Sequence, residues 1–470
     1  IMMRSLYSGV SGLKNHQTRM DVVGNNISNV NTTGFKSSRV TFSDTLSQTL
    51  SGASAPTDNR GGTNPKQIGL GSATSSIDTL FTDGSVQSTG VNTDLCLSGN
   101  GLFIVKDGNL SYYTRNGNFK FDNQGYYVNS DGLKVQGWMS ATPGESINTN
   151  GAATEICIPA GKAMAATATK TATFSNNLNA TMPIITSITV TKSDGTTAQM
   201  DEVEVDGKTN ISAVIALSDG TKQTVSSGAY KKDRSIPVTT TLTVYDSLGA
   251  AHNVPILMEK VKDSNEWKVW LSGRKATQTI TESDGTTTTI NLTQGTLKFT
   301  DTGAFDKKNS ANGALALSFT NGSAEQKVAL DYSNMTQYSG SNTAYGTTDG
   351  NAAGTLKSVS IDSAGVITGT YTNGLNVQEA QVAIAQFNNA SGLTKTGNSL
   401  YTESNNSGTP NIGTISDLGC TATPSALEMS NVDMASELTD MIVTQRGYQS
   451  NSKIITVSDE LLETLINMKR

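Results

Sequence analysis

Side chains that could carry acid–base or metal chemistry are sparse in this sequence. Only two histidines occur, His16 and His252, and the three cysteines, Cys96, Cys157 and Cys420, lie far apart. The sequence contains no Cys-x-x-Cys, His-Glu-x-x-His, Walker or Gly-x-Ser-x-Gly motif. We interpret both histidines as solvated or capping residues. We interpret the cysteines as small buried residues, because an odd number cannot complete a disulfide framework.

The densest acidic segment is Asp-Glu-Val-Glu-Val-Asp at 201–206. In a strand, its two valines share one face with Asp201, and the other carboxylates share the opposite face. Those carboxylates fit either a weak calcium-binding site at the edge of a strand or the solvated face of a strand that runs into a turn. The loop spacing of a calcium-binding hand is missing, so we favour the solvated strand and expect neither a metal nor a cofactor. With so few general bases, we predict that the protein is not an enzyme.

Composition and charge argue against two further classes of function. The net charge is -6 over 470 residues, which does not suit a nucleic-acid binder with a clustered basic face. No stretch approaches the ~20 apolar residues of a membrane span, so we expect no stable membrane insertion.

Hydrophobic residues make up only 35% of the sequence, and glycines number 45. This balance is typical of short strands joined by tight turns, and the length indicates several domains.

Both ends of the chain carry apolar stripes at helical spacing. In the C-terminal part we predict a helix of roughly forty residues, which starts near Pro424 and Ser425 and includes Leu427 in its heptad. Neither stripe has a local core, so two arrangements stay open: a helical hairpin that caps a β domain, or helices that pack on each other and on neighbouring molecules. The proposed polymerisation seam consists of Leu6, Val10, Leu13, Met20, Ile27, Met434, Leu438, Met441, Tyr448, Ile455 and Leu462.

The middle of the chain has the pattern of β-structure. Asp-Gly and Asn-Gly pairs recur, and such pairs supply the positive φ angles of tight hairpins. Ser-Asp-Gly-Thr occurs three times, starting at Ser193, Ser218 and Ser283, which we interpret as repeated turn chemistry. Residues 31–70 are punctuated by glycines and predict an extended connector. Alternating apolar residues predict strands with one buried face at Leu242 and Val244, at Val254, Ile256 and Met258, and at Trp267, Val269 and Leu271.

The segment that follows the first predicted helix has the most specific pattern. Asparagine and glycine disfavour continuation of the helix, and Gly34 can adopt a left-handed turn. The run Val-Val-Gly-Asn-Asn-Ile-Ser-Asn-Val-Asn-Thr-Thr-Gly-Phe-Lys at 22–36 resembles the signature of bacterial flagellar rod and hook proteins. The signature residues are Asn25, Asn26, Asn29, Asn31, Thr32, Thr33, Gly34, Phe35 and Lys36.

Four other segments are similar to hook proteins of this family. They are the start of the chain at 3–12, the Gly-rich stretch at 57–71, the Val-Tyr-Asp-Ser-Leu-Gly run at 244–249 and the C-terminal helix around 441–449. The resemblance covers residues 3 to about 180 and 240 to 470.

The resemblance implies a mixed α and β, multidomain fold, in which all-β domains are inserted between the two ends of the chain. The N- and C-terminal helices are expected to pair as a coiled-coil-like inner domain. The segment 181–237 departs from shorter family members and is either an elaboration of the outer domain or a small domain of its own. The expected parts are the inner helical polymerisation domain at 1–30 and 427–470, the connector at 31–70, the first β domain at 71–145 and 359–426, and the outer β domain at 146–358.

The resemblance also implies a structural subunit of the flagellar hook. Such a subunit polymerises into a curved, flexible tube, which acts as a universal joint between the rod and the filament and encloses an export channel. Expected partners are further copies of the chain, the distal rod, the hook cap, the hook–filament junction proteins and the flagellar type III export apparatus. The start of the sequence lacks the apolar region of a cleaved signal peptide, so we expect export without cleavage to an extracellular hook and basal body.

Two alternatives stay open. A distal rod protein shares the terminal helices and the signature, although we expect it to lack an outer domain as large as 146–358. A secreted β-rich adhesin or hydrolase fits the middle of the chain, which is rich in Thr, Asn and Gly. The terminal stripes do not fit that class.

Overall fold

The computed structural model describes residues 2–58, 60–141, 144–206, 212–282, 285–293 and 295–468, with side chains from Ser5 onward. Within them, one α-helix lies near each end of the chain and the rest is mainly β-structure, which confirms the mixed α and β prediction. Neither of these helices has an apolar stretch long enough to cross a membrane. The chain forms two compact units, a terminal unit of Ile1–Lys162 with Leu356–Arg470 and a central unit of Ala163–Thr355.

The terminal unit begins with helix α1 at Met2–Ser28. A long two-stranded ribbon follows, in which β1 (Ser38–Asp44) pairs with β4 (Ser72–Thr79) and β2 (Ser47–Ser51) pairs with β3 (Lys66–Gly69). The connector expected at 31–70 is therefore not a single extended segment but a chain that folds back on itself. Antiparallel pairing supplies partners to backbone groups that one extended strand would leave to water.

Further strands of the terminal unit precede the central unit. They are β5 (Val86–Ser88), β6 (Leu95–Ser98), β7 (Gly101–Asp107), β8 (Leu110–Thr114), β9 (Lys120–Phe121), β10 (Tyr127–Val128), β11 (Lys134–Met139) and β12 (Thr154–Glu155).

The central unit consists of short strands joined by turns. Its strands are β13 (Ala163–Met164), β14 (Thr171–Asn179), β15 (Ile185–Thr191), β16 (Thr197–Met200), β17 (Glu202–Val205), β18 (Ser212–Leu217), β19 (Lys222–Val225), β20 (Gly228–Lys231), β21 (Val238–Tyr245), β22 (Ala251–Lys260), β23 (Glu266–Leu271), β24 (Thr277–Thr281), β25 (Thr287–Thr293), β26 (Thr296–Lys298), β27 (Ala314–Phe319), β28 (Gln326–Tyr338) and β29 (Tyr345–Thr348).

After the central unit the chain returns to the terminal unit. The returning elements are β30 (Gly354–Ile361), β31 (Val366–Tyr371), β32 (Asn376–Val382), β33 (Ile384–Gln386), β34 (Thr394–Gly397), β35 (Leu400–Thr402), β36 (Asn411–Gly413), β37 (Thr421–Pro424), β38 (Ala426–Glu428) and helix α2 (Met434–Met468). They complete a sheet in the order β30-β31-β32-β11-β7-β8-β35-β34. In this sheet, β11, β7 and β8 from before the central unit lie between strands from after it, so both parts of the sequence are needed to form the sheet.

Helix α2 begins later than the sequence predicted. Leu427, which the predicted heptad included, is buried in strand β38, and this strand pairs with β5. The helix starts at Met434 after Asp433, whose carboxylate accepts a hydrogen bond of 3.0 Å from the backbone N–H of Ala435. Asp is a strong N-cap. The prediction that residues 427–433 belong to the helical domain is therefore wrong.

Two sheets enclose the main core of the central unit. One has the order β21-β22-β23-β26, and the other has the order β24-β25-β27-β28-β14-β29. The predicted alternating faces are confirmed, because all their members have 0% exposure: Leu242, Val244, Val254, Ile256, Met258, Trp267, Val269 and Leu271.

The segment 181–237 has its own apolar cluster within the central unit. It forms a sheet in the order β16-β15-β18-β19 and a separate pair, β17 with β20. Ile188 and Ile215 face each other in the β15–β18 register, and both are fully buried. The cluster also contains Ile185, Val190, Val203, Val205, Ala213, Leu217 and Val225.

The repeated Ser-Asp-Gly-Thr segments share one turn geometry where the structure describes them. The carboxylate of Asp194 accepts hydrogen bonds from the backbone N–H (2.9 Å) and the hydroxyl (2.6 Å) of Thr196. Asp219 makes the same two contacts with Thr221. The third copy includes Ser283 and lies partly outside the described residues. Since the two copies lie in different hairpins, the repetition is one of turn chemistry, as predicted.

The acidic strand at 202–205 forms ion pairs on its exposed face. Val203 and Val205 are buried on the other face. Glu204 contacts Lys275 at 2.8 Å, and Glu202 contacts Lys231 at 3.4 Å. These carboxylates therefore pair with lysines and do not converge on a common point. No cluster with the composition of a metal site occurs among the described residues.

Replacement of Ile215 by alanine should destabilise the cluster within 181–237 by about 2–5 kcal/mol, because it leaves a cavity in a fully buried position. Pulse proteolysis in urea can measure this change, with cleavage expected first within 185–231. Val214→Ala is the matched control, since Val214 lies half-buried on the opposite face of β18. Equal effects of the two substitutions would contradict this account of the cluster.

Candidate assembly site at the chain termini

Helices α1 and α2 pack side by side in antiparallel directions. Gly9 lies beside Ile455, Gly12 beside Asn451, and Gly447 beside His16. A Cβ at Gly12 would come within 2.7 Å of the Asn451 amide nitrogen, and one at Gly447 within 2.6 Å of the His16 ring. The glycines therefore permit a close approach of the two helices. His16 is half-buried in this contact and is not the solvated residue that we expected.

Polar contacts fix the register of the two helices. Arg19 contacts Asp440 at 2.9 Å, and the amide of Asn26 donates to Glu437 at 3.0 Å. Burial raises the pKa of Glu437 above its usual value, while the hydrogen bond from Asn26 opposes that shift. Asn26 also exchanges hydrogen bonds with the backbone of Ser38, so it joins both helices to the ribbon. The contact between the helices is thus largely polar and glycine-rich.

The residues of the proposed polymerisation seam are not buried within the subunit. Among them, only Ile455 is placed beside a glycine of the opposite helix. The half-buried members are Leu6, Leu13, Met20, Ile27, Met441, Ile455 and Leu462, and the exposed members are Val10, Met434, Leu438 and Tyr448.

A second apolar stripe on the C-terminal half of α2 is more exposed than the seam. Its members follow helical spacing, so they share one side of the helix. Leu461 is 50% exposed and Met468 is 81% exposed. None of these residues belongs to the proposed polymerisation seam. The stripe consists of Ile454, Val457, Leu461, Leu465 and Met468.

The ribbon is a further apolar surface, and sequence reasoning missed it. Leu46 is 81% exposed and Leu50 is 57% exposed at its distal part. Phe42, Ile68 and Leu70 are exposed nearby. Their alternation along β1 to β3 was a usable signal, but glycines in this region had suggested an extended connector. A two-stranded ribbon has no core of its own, so these side chains have no cover within the subunit.

The signature residues connect α1 to the β-structure. Asn29 donates to the Asn25 carbonyl, Thr32 donates to Asn29, and Thr33 donates to Asn116. Gly34 has a φ of 66°, and a Cβ there would lie 2.5 Å from the backbone nitrogen of Asn116. Asn25 and Asn31 are exposed. The sequence predicted the left-handed turn at Gly34, and the structure confirms it.

Lys36 belongs to a buried charge cluster that joins the two ends of the chain. Its ammonium lies 2.6 Å from the Glu428 carboxylate and donates to the Thr82 carbonyl at 2.6 Å. Arg115 contacts the other Glu428 oxygen at 3.4 Å and donates to the Leu97 carbonyl. The side chains of Lys36, Glu428 and Arg115 are at most 1% exposed. Burial lowers the pKa of Lys36, and the Glu428 charge opposes that shift.

Sequence reasoning assigned Lys36 to the family signature but missed Glu428 and Arg115. Phe35, the neighbour of Lys36, lies under Lys395, whose ammonium is 4.9 Å from the ring centroid. Asn431 reinforces the junction, because its side chain accepts from the backbone of Ser37 and donates to the Leu80 carbonyl. The segment before α2 and the segment after α1 are therefore held against the same stretch of chain at 80–82.

Replacement of Glu428 by glutamine should destabilise the terminal unit by about 3–5 kcal/mol, because it removes the carboxylate that pairs with buried Lys36 and leaves Arg115 with Asp83 alone at 3.5 Å. Hydrogen exchange of peptides that cover β6 and β7 measures this loss. Asp78→Asn is the matched control, since its ion pair with Arg39 is exposed and 3.7 Å long and should contribute at most about 1 kcal/mol. If Glu428→Gln destabilised the terminal unit no more than Asp78→Asn, the proposed role of the cluster would be contradicted.

Models of flagellar protein families match four parts of the chain. The model described as flagella basal body rod protein matches 6–36, and the flagellar hook protein FlgE/F/G D1 domain matches 96–192. The flagellar basal body protein FlaE D2 domain matches 218–351. The flagellar basal body rod FlgEFG protein C-terminal model matches 423–468, which includes helix α2.

Full-length relatives point to the same family. The flagellar hook protein FlgE of Borreliella burgdorferi is 39% identical and that of Treponema pallidum is 37% identical, each over 100% of both chains. The flagellar basal-body rod protein FlgG of Bacillus subtilis is 30% identical over 100% of both chains. The terminal signature, the matched domains and these full-length identities show that the chain belongs to the flagellar hook protein family.

Proposed function

We propose that the chain is a structural subunit of the bacterial flagellar hook and that it polymerises through its two terminal helices. The observation that carries this proposal is the apolar surface of α1 and α2, which the subunit leaves uncovered. The full-length similarity to hook proteins supports the same function. Catalysis is no part of the proposal.

The uncovered surface is large enough to drive association. Val10 on α1 is 41% exposed, and Ile442, Leu461 and Ile466 on α2 are 59%, 50% and 67% exposed. Full burial of one such side chain contributes roughly 1.5–3 kcal/mol. In this proposal, α1 and α2 of one copy pack on different surfaces of the next copy, so the contact is heterologous. A heterologous contact that does not close into a ring generates a helical filament.

The ribbon supplies a second surface for the same polymer. Of its exposed leucines, Leu46 lies between β1 and β2, and Leu50 lies on β2. Strand β1 is tied to α1 through the hydrogen bonds between Asn26 and Ser38. A neighbouring subunit that covers these side chains would also order the ribbon. In this proposal the terminal helices form the wall of the tube and the ribbon contacts adjacent copies.

The proposed tube acts as a universal joint. The β-structure of each subunit shifts against that of its neighbours as the tube bends, while the helices keep the polymer continuous. The tube then transmits rotation from the rod to the filament and encloses a channel for export. Its proposed partners are the distal rod, the hook cap, the hook–filament junction proteins and the flagellar type III export apparatus, and its proposed location is the extracellular hook, reached without a cleaved signal peptide.

The rod remains the principal alternative within the family. The length of the chain does not separate the two functions, because the Bacillus subtilis rod protein aligns with the whole chain. Electron microscopy of flagella from a deletion strain does separate them. We expect the deletion strain to build rods without hooks. Restoring the full-length chain should restore curved hooks. A strain that lacks the distal rod, or one that builds normal hooks, would overturn the assignment to the hook.

Replacement of Leu461 by aspartate should abolish polymerisation and leave the subunit folded. The side chain is half-exposed in the subunit, so the free subunit tolerates the carboxylate. A neighbouring copy would bury that carboxylate at a cost of several kcal/mol in every subunit. Leu461 is preferred to Leu13 or Met441, because those two are half-buried within the subunit. Circular dichroism reports the fold, and electron microscopy reports hooks.

Leu110→Asp is the matched control for Leu461→Asp. Leu110 is 63% exposed at the start of β8, outside both terminal helices. The change puts the same charge in place of the same side chain. Normal hooks with Leu110→Asp and none with Leu461→Asp are expected. Normal hooks with both variants would exclude the stripe from the interface.

A further inference from the structure

A buried histidine joins three hairpin turns of the central unit. His252 lies at the start of β22, and Asp246 lies in the turn just before that strand. Glu282 lies in the β24–β25 turn, and Asn321 and Ser323 lie in the β27–β28 turn. The three turns belong to two different sheets. Polar side chains from all three turns meet around this histidine.

Asp246 is a fixed negative charge at the centre of this junction. It is 0% exposed and accepts hydrogen bonds from the Asn321 amide (2.7 Å), the Ser323 hydroxyl (2.6 Å) and the backbone N–H groups of Leu248 and Ala250 (2.9 Å each). Burial alone would raise the pKa of Asp246. The hydrogen bonds from Ser323 and Asn321, with those from the Ala250 backbone and His252, outweigh burial and lower the pKa below its usual range.

His252 lies between Asp246 and Glu282. Its Nε2 is 3.3 Å from Asp246 Oδ2, and its Nδ1 is 3.3 Å from Glu282 Oε1 and 3.1 Å from the hydroxyl of Thr288. The imidazole is 3% exposed and lies 4.7 Å from the Phe319 ring. Among the described residues, the charged groups in contact with it are Asp246 and Glu282. The sequence-based interpretation of His252 as a solvated or capping residue is therefore wrong.

The two partners of Nδ1 require different protonation states. A neutral imidazole has one N–H and one acceptor nitrogen. If Nε2 donates to Asp246, Nδ1 can only accept, and the Thr288 hydroxyl is the available donor. Glu282 then has no proton from the ring. When the ring is protonated, Nδ1 donates as well and can bond the Glu282 carboxylate. Thr288 and Glu282 are thus alternative partners of one atom.

We propose that His252 is a proton-operated latch of the central unit. In the protonated state, its two N–H groups hold Asp246 and Glu282 together, which fixes the β24–β25 turn to the β21–β22 turn. In the neutral state, Nδ1 accepts from Thr288 and Glu282 is released. Because the hydrogen bond belongs to the protonated state, the latch is closed at low pH and opens as pH rises. Histidine is the side chain suited to such switching at physiological pH.

The test measures hydrogen exchange of peptides from β24 and β25 in the full-length chain between pH 5 and 9, corrected for the intrinsic exchange rate. Opening of the turn should become about tenfold more frequent as pH rises, since a hydrogen bond between charged groups is lost. Glu282→Gln should remove this pH dependence. Glu325→Gln is the control for loss of one carboxylate, because Glu325 is exposed, and it should leave the dependence intact.

A second measurement reads the ring directly. The chain has only two histidines, so the imidazole resonances in an NMR spectrum can be assigned with His16→Gln. Neutral His252 should carry its proton on Nε2, and Thr288→Val should stabilise the protonated state and move the opening of the turn to higher pH. A pH dependence that survives Glu282→Gln, or a neutral ring protonated on Nδ1, would overturn the latch.

Discussion

The buried cluster of Lys36, Glu428 and Arg115 is the constraint on which the arrangement of the termini depends. Lys36 and Glu428 are 392 residues apart in sequence, and their charges meet at 2.6 Å with no exposure to solvent. A buried pair of this kind is strongly destabilising to break and fixes a geometry. It brings the segment after α1 and the segment before α2 together. The end of α1 therefore lies near the start of α2, and their antiparallel contact follows.

The contact between the helices explains why their apolar residues stay available. Gly9, Gly12 and Gly447 allow the backbones to approach, and Arg19 and Asn26 pair with acidic residues of α2. Glycine and polar groups therefore occupy the side of each helix that the subunit buries. Exposed apolar side chains, among them Val10, Leu438 and Leu461, are left on the other sides. An amphipathic helix normally buries its apolar stripe within its own molecule, whereas these helices leave apolar side chains exposed.

In the central unit, short-range sequence patterns agree with the observed structure. Local turn chemistry predicted its turns, and alternation of apolar residues predicted its strands. Trp267, Val269 and Leu271 were placed on one face by alternation alone, and all three are fully buried. The Ser-Asp-Gly-Thr turns at 193–196 and 218–221 were recognised because Asp, Gly and Thr interact within four residues. His252 was misjudged, because its partners Glu282 and Thr288 are distant in sequence and belong to other hairpins.

The sequence by itself determined the two terminal helices, the β character of the middle, the turn at Gly34 and the resemblance to hook proteins, since each depends on residues a few positions apart. Only the tertiary structure decided that Leu427 belongs to a strand, that residues 38–79 fold back as a ribbon, and that Glu428 and Arg115 enclose Lys36. Periodicity reports which residues share a face. It does not report what covers that face, because burial and charge pairing depend on segments that lie hundreds of residues away.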